Sequence, residues 1–222
     1  EITCRDWSSD VCSSDLTQAR IFCDLLEGDI GELPPVADFE APRLTLPNGD
    51  IKYPSNATLE QFLLEVERIL GVRPIIYTSA GYGNSHLVNK YTGRIDDKWL
   101  YWDLWIANYK TNAHPDTHQP APLNPWAKAL GAKWWTFWQH TANLDGLAYG
   151  AESKSLDGNY FNGDEQALLE YVMKNNPNYK PPVVNPPTPP DPPTGGGTTP
   201  PANNNFLVAI LKIGRASCRE RV

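Results

Sequence analysis

Asp38 and Glu40 are the residues in this chain whose types and spacing point most directly to chemistry. They close the run Leu33-Pro34-Pro35-Val36-Ala37-Asp38-Phe39-Glu40, in which a turn with two prolines leads into a short apolar strand. In extended backbone alternate side chains share a face, so the two carboxylates lie on one side, roughly 7 Å apart along the chain. Like charges that close repel, and one of the pair is expected to keep its proton above the usual carboxylate range. A carboxylic acid beside an ionised carboxylate is equipment for cleaving a glycosidic bond: one protonates the leaving oxygen while the other stabilises positive charge. D-x-E alone also occurs on solvated strand edges. What positions the pair therefore matters as much as the pair itself.

Around it, periodicity predicts alternating helices and strands. Thr17–Glu27 carries Ala19, Phe22, Cys23, Leu25 and Leu26 near helical spacing, with Gly28 as a stop. After a polar loop over Ala41–Pro54, Thr58 reads as the N-cap of a helix over Leu59–Leu70, closed by Gly71. Short strands are predicted at Pro74–Tyr77, Asp103–Tyr109 and Trp134–His140, with a last one near Ser155–Asn159. Ser79–Asn89 reads as a loop or broken helix, Trp126–Leu130 as a helical turn and Asp164–Lys174 as a final helix. Strands that alternate with helices and end in polar residues indicate parallel βα units. In barrels built that way chemistry sits at the carboxyl ends of the strands, where Glu40, Tyr77, Tyr109 and Gln139 fall.

The ends of the chain read differently. Glu1–Leu16 and Lys212–Val222 look like sequencing-adapter bases translated in frame, and they are set aside from fold reasoning. Of the cysteines this leaves Cys23, expected to be packing on a helix face, so no disulfide framework is indicated. The formal charge stays at −7, because the two ends carry five basic and five acidic residues. An acidic chain without a basic run argues against nucleic acid as a partner. No apolar stretch reaches the roughly 20 residues of a membrane helix. Residues 17–175 read as the folded unit, and 176–205 as a Pro/Gly-rich linker. Phe206–Leu211 reads as the start of a second, truncated domain.

Taken in order, LPPVADFE, IIYTS, LWIANY, WWTFWQHT and LDGNYFNGD resemble the catalytic domain of glycoside hydrolase family 25 over about Thr17–Lys174. These are muramidases, often called lysozymes, of bacterial autolysins and phage endolysins. The resemblance implies an irregular eight-stranded (β/α) barrel. It also implies hydrolysis of the β-1,4 bond between N-acetylmuramic acid and N-acetylglucosamine in peptidoglycan. By motif, Glu40 aligns with the general acid, Asp38 with the carboxylate assisting the 2-acetamido group, and Asp157 with the aspartate of the last strand. Tyr77, Trp105, Tyr109, Trp138 and Gln139 match positions lining the groove. The implied partner is the bacterial cell-wall glycan, acted on by a monomer without cofactor or membrane. The place of action is extracellular or at the wall for a bacterial enzyme, and host cytoplasm then wall for a phage one. The second domain is expected to bind cell wall.

Two departures qualify the resemblance. The family's opening strand, with its D-x-S aspartate, and the two strands after it have no counterpart. The fold expected is thus an α/β, incomplete (β/α) barrel with five strands of the eight, and the chain as written is expected to be inactive. Gly158 stands where the family has an apolar residue. A non-catalytic glycan-binding protein on a degenerate barrel is the rival reading. A chitinase-type hydrolase needs a longer D-G-x-D-x-D-x-E run than Pro34–Glu40 supplies. His114 and His118 have ligand spacing, but Pro115 breaks a helix between them, and no metal is expected. Asp157–Phe161 begins like a calcium loop but puts Phe161 at a ligand position. Asn56-Ala57-Thr58 forms a glycosylation sequon, in which Thr58 is better used as a helix cap. Trp134 and Trp135 are expected on opposite faces of one strand.

Overall fold

The computed structural model describes residues 15–40, 44–45, 51–52, 55–89, 91–92, 97–109, 120, 134–176, 179 and 207–208. The five predicted strands all form, as β1 (Val36–Asp38), β4 (Ile75–Ser79), β5 (Asp103–Ala107), β6 (Phe137–Asp145) and β7 (Ser155–Phe161). Helices α1 (Asp15–Leu25), α2 (Asn56–Leu70), α3 (Ala80–His86) and α4 (Glu165–Asn175) alternate with them. Among the described residues the sheet is open, in the order β1-β4-β5-β6-β7 with β8 (Leu207–Val208) beyond β7. This is the incomplete α/β barrel expected. The 41–54 stretch, read as plain loop, contains a small antiparallel pair, β2 (Leu44–Thr45) with β3 (Ile51–Lys52).

β1, β4, β5 and β6 are parallel, but β7 returns antiparallel to β6. The nine residues between Asp145 and Ser155 are too few for a parallel crossover, which needs a dozen or more, so the last unit is a hairpin. Leu207–Val208 pair with Tyr160 and Asn159 on the outer edge of β7. His114, His118, the turn expected at Trp126–Leu130 and nearly all of 176–205 lie outside the described residues.

The register assigns side chains to two faces. Ala37, Phe39, Ile76, Leu104, Ile106, Trp138 and Tyr160 face Leu59 and Leu63 of α2, together with Trp99, Trp102, Trp134 and Trp135. Trp134 and Trp135 therefore share one core rather than dividing between faces; both precede β6, where the alternation of a strand does not yet apply. The opposite face carries Val36, Ile75 and Asp103 at its amino end, then the row Asp38, Tyr77, Trp105, Phe137, Phe161. Above that comes the row Ser79, Ala107, Gln139, Asn159. Polarity thus rises toward the carboxyl ends. α4 covers the apolar end with Ala167, Leu168 and Tyr171, and the Tyr171 hydroxyl donates to Asp103 Oδ2 at 2.9 Å.

Helix α2 starts three residues before the position read from the sequence. Ser55 caps it, its Oγ accepting from the Thr58 amide at 3.1 Å, while the Thr58 hydroxyl pairs with the same oxygen at 2.8 Å. The cap residue is the one whose backbone is still extended, and here that is Ser55. Gly71 ends the helix with a left-handed φ of 68°, as expected. α1 begins at Asp15, two residues ahead of the predicted boundary. It packs Ala19, Phe22 and Cys23 on Val66, so Cys23 is core.

Glu65, itself 7% exposed, fastens the two helices by accepting from Arg20 Nε at 2.9 Å and Arg68 Nε at 2.7 Å. The hydrogen bonds from Arg68 and Arg20 hold its carboxyl at about 2, below the usual 4.5. Stability from this depressed group is complete above pH 4.5 and is lost as pH falls toward 2. Glu65→Gln is therefore expected to lower Tm at pH 7 but to converge with the parent as pH approaches 2, read by thermal melts across that range. Both guanidinium groups are more than half exposed, so added salt should narrow the gap.

Candidate active site

The two carboxylates are set by the residue between them. Phe39 is buried at 1% exposure, and its ring meets Tyr82 edge-on at 5.1 Å. Its amide donates to the Tyr77 carbonyl at 2.7 Å, which extends the β1–β4 pairing past Asp38. With Phe39 anchored toward the helices, the alternation of the strand turns Asp38 and Glu40 to the other face. Asp38 lies in register with Tyr77, and Glu40 follows at the carboxyl end.

Glu40 lines a cleft of about 270 Å³ with Tyr77, Ser79, Ala80, Gly81, Ala107, Asn108 and Tyr109. Asp157 shares strand parity with Asn159, which pairs with Gln139, so it stands on the same sheet face. Tyr77 sits between the three acids. Burial first, then the neighbouring Glu40, Tyr109, Asp38 and Asp157, hold its phenol well above its ordinary pKa. The hydroxyl stays protonated and donates to Gln139 Oε1 at 2.7 Å. Tyr109, 58% exposed, donates to the same oxygen at 2.9 Å. Tyr77 also packs edge-on against Trp105, ring centroids 5.3 Å apart.

A family model for the glycosyl hydrolases family 25 matches residues 7–146, more than half of the chain. The chain belongs to glycosyl hydrolases family 25. The matched segment of this family 25 chain holds Asp38, Glu40, Tyr77, Trp105, Tyr109, Trp138 and Gln139, while Asp157 lies beyond it. Curated relatives include the uncharacterized protein YegX of Escherichia coli O157:H7, 28% identical over 157 residues, covering 70% of this chain and 46% of the relative. YegX of Escherichia coli strain K12 is 27% identical over the same shares. The chain thus spans about half the length of the curated relatives it matches. Similar solved structures include the muramidase from Acremonium alcalophilum, at 24% identity and a TM-score of 0.47, covering 75% of this chain and 70% of that one. Another is the spore cortex lytic enzyme SleM of Clostridium perfringens, at 25% identity and TM-score 0.45, covering 66% and 44%.

Of the groove residues expected in this family 25 chain, Tyr77 and Tyr109 line the cleft, while Gln139 and Trp105 support it from the same sheet face. Trp138 does not line it. Its position in β6 has the opposite parity, and it is wholly buried among the helix-facing residues. Its Nε1 donates to the Asn108 carbonyl at 2.9 Å, so it holds a wall residue of the cleft from behind.

Asn159 was not singled out from the sequence, although it stands two residues from Asp157 on the same strand face. It is fully buried, accepts from Trp105 Nε1 at 2.9 Å and donates to the Asp157 carbonyl at 3.3 Å. It thereby ties the backbone beneath Asp157 to the aromatic floor. Asn159→Leu strands the Trp105 N–H and is expected to cost about 1–3 kcal/mol of stability, measured by chemical denaturation. Among the described residues no group of three or more His, Cys, Asp or Glu could hold a metal, and no helix is long and apolar enough to cross a membrane.

Proposed function

We propose that the protein is an N-acetylmuramidase, cleaving the β-1,4 bond between N-acetylmuramic acid and N-acetylglucosamine in peptidoglycan. The observation that carries this reading is the placement of Asp38 and Glu40 beside Tyr77 at the carboxyl ends of the parallel strands, with Asp157 on the same sheet face, in a family 25 chain. Glu40, on the cleft wall, gives its proton to the leaving oxygen as the bond to the anomeric carbon breaks. As a carboxylate, Asp38 orients the 2-acetamido group and balances the positive charge growing at that carbon. Asp157 adds negative charge from the same sheet face. Water then adds to the anomeric carbon and returns a proton to Glu40. The aromatic residues supply flat apolar surface for sugar rings.

The substrate is reached outside the cell or at the wall for a bacterial enzyme, and from the host cytoplasm for a phage one. Protein expressed from the intact gene is expected to clear suspensions of bacterial walls and release new reducing ends on muramic acid. Wall binding without new reducing ends would overturn the hydrolase reading in favour of a glycan-binding protein.

A further inference from the structure

Ser79 differs in its hydrogen bonding from the other polar side chains that line the cleft. The Tyr77 and Tyr109 hydroxyls both donate their protons to Gln139 Oε1, at 2.7 and 2.9 Å. Their oxygens therefore offer a ligand lone pairs, as an ionised carboxylate does. Ser79 stands at the end of β4 with its Oγ held by the Tyr82 amide, which donates to it at 3.1 Å. Among the described residues the proton of that hydroxyl has no acceptor. Around it the wall is small and apolar. Ala107 pairs with Ser79 in register, and Ala80 and Gly81 follow it in the chain. A Cβ on Gly81 would meet nothing within 4 Å, so the wall is open there. One donor, acceptors close by and a methyl-sized apolar wall match an acetamido group, with its carbonyl, N–H and methyl. A sugar hydroxyl would leave the apolar wall unused, and a carboxylate would meet Glu40 with like charge.

We propose that Ser79, Ala80, Gly81 and Ala107 form a specificity site for the N-acetyl group of the sugar on the leaving side of the bond. This rests on the muramidase reading above and deepens it. In that reading Asp38 serves the acetamido group of the sugar under attack, and Asp38 is not among the residues lining this cleft. Glu40 is, so the group seated here belongs to the sugar whose oxygen Glu40 protonates. The Ser79 hydroxyl donates to its carbonyl, a tyrosine oxygen accepts from its N–H, and its methyl lies on the three small residues.

The test is binding by titration calorimetry or NMR, with the full chain carrying Glu40→Gln so that no probe is turned over. The probes are the β-1,4 tetramer of N-acetylglucosamine and the β-1,4 tetramer of glucose, which has the same backbone without acetamido groups. The acetylated probe is expected to bind about tenfold tighter or more. Ser79→Ala removes the donor and is expected to raise its Kd by about two- to tenfold, with the glucose probe unmoved. Ser79 also caps α3, so Gly81→Leu is the second variant. It adds a side chain at the open wall and improves helix propensity, so the fold should hold. It is expected to bring the two probes to within about twofold of each other. A folded Gly81→Leu chain that keeps the full preference overturns this inference alone, whatever Ser79→Ala does, and so does a parent with no preference. If the Glu40→Gln chain binds neither probe, nor peptide-free strands containing muramic acid, the glycan reading falls and the inference with it.

Discussion

On the proposed mechanism, Glu40→Gln in protein expressed from the intact gene is expected to lower kcat for wall hydrolysis by about 10²–10⁴-fold while leaving the fold intact. The amide has nearly the same shape as the acid but no proton to give, so the loss falls on the protonation of the leaving oxygen. The neighbour that is packed into the core is Phe39, whereas Glu40 stands on the cleft wall. Thermal melts should therefore agree to within about 0.5 kcal/mol. Substrates with a good leaving group need less protonation, and on them the deficit should shrink. Lysis at the parental rate by purified Glu40→Gln would remove Glu40 from this role.

Gly158 gives the largest expected effect on stability. A Cβ there would stand 2.7 Å from His140 Nε2 and 2.8 Å from both Leu144 Cδ1 and Thr141 Cγ2. The imidazole cannot easily retreat: it is 7% exposed and stacked on Tyr160 with centroids 4.4 Å apart. Burial pushes its pKa down, so it sits there neutral. Gly158→Ala is expected to cost about 1–3 kcal/mol and Gly158→Leu more, read as loss of Tm. Because the strain falls on the β6–β7 hairpin that carries Gln139 and Asp157, activity should fall with it. Adding His140→Ala removes the obstructing ring and should restore part of the loss, with a coupling of roughly 0.5–3 kcal/mol. A Gly158→Leu protein with parental Tm would show that the site is open.

Gly158 also shows where sequence reasoning ran short. An apolar residue is expected at that position from the family resemblance, and only the packing of His140 in three dimensions shows what fills the space instead. The strands themselves were legible, because short apolar runs with polar exits have few other uses in an alternating pattern. Asp38 and Glu40 were legible because alternation over three residues needs no knowledge of neighbours. Trp138 and Asn159 depend on knowing where β6 and β7 begin and which face each presents. Trp138 beside Gln139 cannot share its face, yet both had been read as groove residues. The reversed direction of β7 followed from a connection length rather than from any residue type. At α2, Ser55 and Thr58 are both good caps, and three residues of register separate them.

The hairpin has one more consequence. β6 runs on to Asp145, well past Gln139, and turns at Gly146–Tyr149, with Leu147 and Tyr149 about half exposed. In a parallel unit a helix would follow this end of the strand and carry the chain back to the far side. Here the chain reverses directly beyond the carboxyl end of β6, and the strand that returns carries Asp157. Lengthening or shortening residues 147–153 would alter this end of the hairpin without touching the parallel strands. The reach of the enzyme along a polymer could then change while its chemistry stayed constant, so chain-length preference and bond cleavage can evolve, or be engineered, as separate traits.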